Sequence, residues 1–298
     1  MVSIVLPTYN GEKYIRESIQ SIINQTYTEW ELIVIDDCSL DSTNSIVAEY
    51  VEKDKRIKLF KNEQNLRLPA SLNAGFLKAS GDYLTWTSDD NLYKPEALEK
   101  MLDALQRDAN CGLVFSRMEN IDGEGMLKGL SCVPRNVREL YYHNIVGASF
   151  MYTRKVYEQI GDYDTGKFLM EDYDYWLRIA RSFEIEYLPE VLYQYRQHEC
   201  SLTETRNRQV LEGKVKLLEE ELTLAEFEND ILRMIYKELA EALFSLDQYA
   251  EMKEYLLKMR SISKDMSDVR RAVRISYVLG STLSAVMKRI FKRKKNMK

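Results

Sequence analysis

The chain predicts an α/β fold: a central, mostly parallel sheet flanked by helices, followed by an all-α region. Three observations carry this. Short β-rich runs and helical patterns alternate four times between residues 1 and 105, the pattern of a doubly wound sheet. Leu32-Ile33-Val34-Ile35 is apolar without interruption, as strands covered on both faces are. From about residue 205 proline disappears, glycine becomes rare and Leu/Glu/Lys periodicity takes over. The expected domains are therefore 1–204 and 205–298.

Taken in order, Val2-Ser3-Ile4-Val5-Leu6-Pro7 is a first strand, stopped by proline at the turn Thr8-Tyr9-Asn10-Gly11. Tyr14, Ile15, Ile19, Ile22 and Ile23 recur at helical spacing. The second strand, Leu32 to Ile35, ends in Asp36-Asp37, and Ser39-Leu40-Asp41-Ser42 opens the next helix with capping residues. Ile57 to Phe60 and Tyr83 to Trp86 are further strands, with helices predicted over Ala70–Ala79 and Pro95–Leu105. Every one of these strands except the third ends at a polar or acidic cluster, which predicts one shared site at the sheet edge. Beyond them, Cys111–Phe115 and Gly147–Thr153 read as strands, and residues 118–145 as an irregular mobile loop over the site. Arg154–Ile160 reads as a helix closed by Gly161. A helix is predicted to begin near Glu171, and two strands to lie over Ile185–Leu188 and Leu192–Tyr195. Leu239 to Met259 reads as a helical hairpin.

Charge is unevenly spread. Lys264 to Lys298 hold eleven Lys/Arg against two Asp, a local +9, leaving −14 on residues 1–263 within a net −5. So acidic a body argues against nucleic acid as a partner. The helical pattern 269–298 is basic with an apolar stripe, and only Ile275–Met287 is free of charge, too short to span a bilayer. It suits an anionic membrane surface. The alternative is a helix packed on the body with its basic end in solvent. Cys38, Cys111, Cys132 and Cys200 form no CxxC, which predicts reduced thiols. Met1 leads directly into a strand, so no signal peptide is expected. The expected location is the cytoplasm, with peripheral attachment to the inner face of the plasma membrane if the basic helix binds lipid.

The chemistry concentrates at Ser88-Asp89-Asp90-Asn91, just past a strand end, where open α/β sheets bind ligands. Paired carboxylates without nearby cysteines suit a hard cation such as Mn²⁺ or Mg²⁺. A solvated turn with a helix cap would use the same residues.

Together the motifs resemble the inverting family 2 glycosyltransferases of GT-A fold, over about residues 1–204. The ordered set is Pro7-Thr8-Tyr9-Asn10, Ile35-Asp36-Asp37-Cys38-Ser39, Ser71-Leu72-Asn73-Ala74-Gly75, Ser88-Asp89-Asp90-Asn91, Glu171-Asp172 with Trp176, and Tyr195-Arg196-Gln197-His198 with Ser201. The resemblance implies that Pro7, Thr8, Tyr9 and Asn10 line a nucleotide pocket, with Tyr9 against the base. Asp37 would accept a hydrogen bond from that base, most often uracil. Asp89 would face the donor ribose or sugar, and Asp90 would hold the metal. His198 and Ser201 would stand at the metal and diphosphate, and Asp172 would be the catalytic base. Leu72 departs from an expected arginine, and Arg67, two after Asn65, replaces a usual glycine and is the candidate substitute at the diphosphate.

The implied activity is metal-dependent transfer of a sugar from a nucleotide-sugar donor, UDP-linked by preference, to a glycan or lipid-linked acceptor in cell-surface polysaccharide synthesis. Such a reaction needs a cation to neutralise the departing diphosphate and a carboxylate to take the hydroxyl proton. At a helix start, the dipole is expected to favour ionised Asp172; Asp174 is the alternative base. Glu171 and Trp176 are candidate acceptor contacts, and for Trp86 core packing is the preferred reading. A sugar nucleotidyltransferase is disfavoured because Thr8-Tyr9-Asn10-Gly11-Glu12 is not a basic phosphate loop, and a dinucleotide-binding oxidoreductase because no GxGxxG follows the first strand. The intact Asp90 and Asp172 argue against an inactive helical adaptor.

Overall fold

The computed structural model describes residues 1–199 and 205–262. Ser201 and the basic pattern 269–298 lie outside the described residues. The described chain divides into two compact units between Gly213 and Lys214.

The first unit is built on a nine-stranded sheet. Its strands are β1 (Val2–Thr8), β2 (Trp30–Asp36), β3 (Ile57–Lys61), β4 (Tyr83–Trp86), β5 (Leu92–Tyr93), β6 (Cys111–Ile121), β7 (Leu127–Leu130), β8 (Phe150–Thr153) and β9 (Glu184–Arg196). The order is β3-β2-β1-β4-β8-β6-β9-β5, with β7 paired to β6. β1 to β4 are mutually parallel, β8 is antiparallel to both β4 and β6, and β6 is parallel to β9. The carboxyl ends of β1, β2, β4 and β9 therefore lie along one edge.

Burial follows pattern. Every residue of β1 and β2 is buried, as expected of strands covered on both faces. On one face, Ile4 and Leu6 join Ile15, Ile19 and Ile22 of α1 (Ile15–Ile23) and Leu98, Met101 and Leu105 of α4 (Ala97–Arg107). α2 spans Thr43–Lys53 and α3 Leu68–Phe76. Gly75 of α3 lies so close to β1 that an added Cβ would come within 2.3 Å of Val5 Cγ1, so helix and strand need glycine there. An aromatic cluster consolidates the middle of the fold. Trp176 and Tyr175 of α6 (Glu171–Ala180) pack on Phe150 and Tyr152 of β8, and Tyr163 stacks on Tyr175 with centroids 4.1 Å apart. α5 (Arg154–Ile160) is capped by the Thr153 hydroxyl and closed by Gly161 at φ +81°, as predicted.

Several expectations are corrected. Residues 118–145 are not one irregular loop: β6 continues to Ile121 and folds back as β7. Its distal half, Arg117 to Asn120, is only half-buried and, Met118 apart, polar, so it lacks the apolar signature of a strand. The two strands expected around 185–195 are one, β9, passing Pro189 at an irregularity where Ser116 pairs with Leu188 and Arg117 with Val191. A bulge tolerates the missing proline N–H. The helix expected from Pro95 starts at Ala97, after the short β5.

Further along the chain, α7 (Asn207–Leu224), α8 (Asn229–Ser245) and α9 (Tyr249–Ile262) follow. α8 and α9 form the expected hairpin: Asp247 turns the chain at φ +62°, and Tyr236 faces Tyr255 at 5.8 Å. Ile235, Leu239 and Leu243 on α8 are buried, as are Leu256 and Met259 on α9. Among the described residues, no helix is long and apolar enough to cross a membrane.

Candidate active site

The shared strand edge gathers the motifs. At the end of β1, the Thr8 hydroxyl donates to Asp89 Oδ2 at 2.5 Å, joining that strand to the acidic turn after β4. Gly11 permits this: an added Cβ would meet Asp89 Oδ2 at 2.2 Å and Thr8 Oγ1 at 2.6 Å. Asn10 links the next loop. Its N–H donates to Ser39 Oγ at 2.9 Å, and its Oδ1 accepts from the Leu40 N–H at 2.8 Å. Tyr9 is 47% exposed and presents a free ring face, whereas Pro7 is buried in β1 opposite Ile35. The strand thus runs through Pro7 to Thr8, so proline does not stop it there.

Asp37 is buried and serves the chain itself. Its carboxylate accepts from Asn62 Nδ2 and the Leu66 N–H, both at 2.8 Å, and from the Arg67 N–H at 2.9 Å. These bonds shape the 62–67 turn that presents Asn65 and Arg67 to solvent. Asp36, wholly buried, holds the Ser39 N–H at 2.8 Å and Asn44 Nδ2 at 3.1 Å. Arg67 adopts φ +69°, ψ +169°, a conformation open essentially to glycine, with its guanidinium 5.3 Å from the Phe168 ring. That geometry explains why glycine is the usual residue. Arg67→Gly is expected to raise stability by about 1–3 kcal/mol, the strain of such a residue. Thermal unfolding checks this; an unchanged or lowered Tm would remove the strain argument. Leu72 is fully buried and contributes no polar group to the site.

Asp90 and His198 come together from elements 108 residues apart, with His198 Nε2 2.9 Å from Asp90 Oδ2. Asp90 Oδ1 is buried and has no hydrogen-bond partner. A buried carboxylate oxygen without a donor is costly unless something absent satisfies it. A divalent cation fits: carboxylate oxygen and imidazole are both ligands for Mn²⁺ or Mg²⁺-type sites. Among the described residues no three His, Cys, Asp or Glu converge on one point. Burial and the adjacent Asp90 push Asp89 up to about 7, with the Thr8 hydroxyl opposing; a nearby cation would favour its ionised form.

Sequence reasoning assigned no role to Arg196. It is almost fully buried and ties the site together. Its N–H donates to Asn91 Oδ1 at 2.8 Å and its Nε to the Asp90 carbonyl at 2.9 Å. Nη2 meets Glu17 at 2.6 Å, Nη1 meets the Gly123 carbonyl at 3.1 Å, and the guanidinium covers the Tyr14 ring at 4.5 Å. A lone arginine in sequence reads as a solvated charge; only its burial reveals the function of holding Asp90 and His198 in place.

Asp172 sits in the first turn of α6. Its Oδ2 accepts from Asn144 Nδ2 at 3.1 Å and its Oδ1 from the Tyr173 N–H at 2.6 Å. Tyr163, whose hydroxyl accepts from Trp86 Nε1 at 3.1 Å, feels the Asp172 charge electrostatically. The dipole argument is corrected: burial outweighs the helix terminus, and the Asp172 pKa is raised. Glu171, 5% exposed with Oε2 lacking any partner, is pushed to about 8 by burial and by Asp172. Asp174, the alternative base, is committed to Arg178 at 2.8 Å. Trp176 is fully buried, 4.4 Å from Phe150, so it is core and not an acceptor platform. Trp86 is core as well.

The family model for glycosyl transferase family 2 matches residues 3–171. An uncharacterized glycosyltransferase of Methanocaldococcus jannaschii is 35% identical over 205 residues, covering 66% of this chain and 70% of that one. EpsE of Bacillus subtilis, named as a glycosyltransferase, is 34% identical over 202 residues, covering 66% and 73%. Among solved structures, Staphylococcus aureus TarS residues 1–349 superpose with a TM-score of 0.66 at 20% identity, covering 94% of this chain and 91% of that one. The mannosyltransferase PcManGT of Pyrobaculum calidifontis, in complex with GDP-Man and Mn²⁺, gives 0.64 at 19% identity, covering 93% and 80%. At such identities the likeness is one of fold, and that fold is GT-A. By its sequence, the chain belongs to glycosyl transferase family 2 and is a glycosyltransferase.

Proposed function

We propose that this glycosyltransferase is metal-dependent and inverting, and that it moves a hexosyl unit from a UDP-sugar to a hydroxyl of a glycan or lipid-linked acceptor in cell-surface polysaccharide synthesis. The supporting observation is the pairing of Asp90 and His198 around an unsatisfied carboxylate oxygen, on the same strand edge as Asp89. Mn²⁺ or Mg²⁺ held there by Asp90 and His198 would supply charge neutralisation for a diphosphate. The complexes of TarS with UDP-GlcNAc and of PcManGT with GDP-Man and Mn²⁺ agree with such a donor site.

The chain's own residues divide the remaining work. Tyr9 offers a ring face to the base, and Asp37 an acceptor beside it. Asp89 with its partner Thr8, and Asn10, Asn65 and Arg67, orient the ribose and diphosphate. Asp172 takes the acceptor hydroxyl proton as that oxygen attacks the anomeric carbon and the bond to the diphosphate oxygen breaks, the electron pair leaving with the diphosphate. Attack from the face opposite the leaving group inverts the anomeric centre. Glu171, whose Oε2 has no hydrogen-bond partner, contacts the acceptor. Ser201, outside the described residues, is assigned to the diphosphate on the family resemblance, and the reaction to the cytoplasm, at the inner face of the plasma membrane if the basic segment 269–298 binds lipid.

Incubation with Mn²⁺ and UDP-, GDP- or dTDP-sugars tests this. Nucleoside diphosphate release is expected with UDP-sugars, and a product of opposite anomeric configuration by NMR. Release from none of the donors refutes the assignment; retained configuration refutes inversion.

A further inference from the structure

The β6–β7 hairpin carries an unusual surface. Met126 (66%), Leu127 (60%), Leu130 (44%) and Val133 (54%) are all well exposed within eight residues. β7 is an edge strand: it pairs with β6, whose distal half is itself paired on its other side with β9. Large apolar side chains grouped this way mark an interaction surface. Residues 126–138 also hold three Lys/Arg and no Asp or Glu, within a body that is otherwise acidic. Lys128 is exposed, though paired to Asp122 at 3.0 Å, and Arg135 is exposed. Apolar anchors with interspersed cations are the chemistry of the interface of an anionic bilayer.

The hairpin is also continuous with the active site. An added Cβ at Gly123, in its turn, would lie 3.1 Å from the Tyr14 hydroxyl and 3.9 Å from His198 Cβ. Arg196, which holds the Asp90 carbonyl, also holds the Gly123 carbonyl. A surface seated on the hairpin would thus adjoin the site's rim.

We propose that the β6–β7 hairpin and the segment after it dock on an anionic lipid surface, bringing the donor site to a lipid-linked acceptor. This rests on the lipid-linked acceptor reading above, but docking is measured without catalysis. The full chain is expected to float with vesicles containing phosphatidylglycerol and not with pure phosphatidylcholine. Lys128→Gln with Arg135→Gln, and separately Met126→Ser with Leu127→Ser, Leu130→Ser and Val133→Ser, should each weaken partitioning about tenfold or more. The native Trp30, Trp86 and Trp176 are all buried, so Leu127→Trp adds a reporter at the surface. Its emission should shift blue on vesicle binding and be quenched by brominated lipid. Flotation unchanged in both multiple variants, or Leu127→Trp unquenched, overturns the proposal. So does light scattering that shows the apolar variants abolishing a dimer while flotation persists, since the face would then belong to a second copy. Loss of sugar transfer with vesicle binding intact would instead count against the catalytic reading.

Discussion

Asp172→Asn is expected to lower transfer about 10²–10⁴-fold, the usual contribution of a positioned general base. Donor affinity, read by calorimetry with UDP-sugar and Mn²⁺, should stay near wild type, because Asp172 is held by Asn144 and its own helix and not by the donor motifs. Wild-type rates in this variant would refute its role. The pH dependence follows from the pair. Burial raises the pKa of Asp172, and burial plus Asp172 carries Glu171 to about 8. Near neutral pH the pair therefore retains a proton, and the rate should climb with pH as that proton leaves. Glu171→Gln removes a neighbouring negative charge, so the rising limb should move to lower pH. Stability runs the opposite way. A carboxyl whose folded pKa is raised stabilises the fold fully below its unfolded pKa, and that contribution is lost as pH rises through the folded value. Wild-type Tm should accordingly decline on approach to pH 8, and less so in Glu171→Gln.

Asp90→Ala, or a chelator added to the wild type, should abolish measurable transfer. A Lewis-acid cation contributes several kcal/mol to stabilising developing charge, on the order of a thousandfold in rate. Two features make Asp90 the sensitive position. Its Oδ1 is buried without a donor, so that the apoprotein bears an unsatisfied carboxylate, and its other oxygen engages His198. Removing that carboxylate therefore need not harm the fold: Tm without metal is expected to be unchanged or higher, while the Tm increment on adding Mn²⁺ disappears. His198→Ala should weaken metal affinity and leave partial activity at high Mn²⁺. Full chelator resistance of the wild type would rule out the cation.

Much of this arrangement was legible before any coordinates. β1 and β2 announced themselves because strands covered on both faces must be apolar throughout, and the acids after β2 and β4 marked where those strands stop. The hairpin was hidden because Arg117 to Asn120 are half-buried and, Met118 apart, polar, and Pro189 disguised one long strand as two. Asn144 could not be found at all: nothing in its local sequence signals that it meets a carboxylate 28 residues away.

The order of strands, the turn residues and the acids at strand ends are local properties, dictated by side-chain period and backbone chemistry, and they suffice to bring Asp37 and Asp90 to one edge of the sheet. Packing decided what each group does there. It buried Trp176, turned Arg196 into an internal clamp and raised the pKa of Asp172 against the expected pull of the helix terminus. The reason is that desolvation depends on neighbours from every part of the chain, whereas propensity and pattern depend only on residues close by.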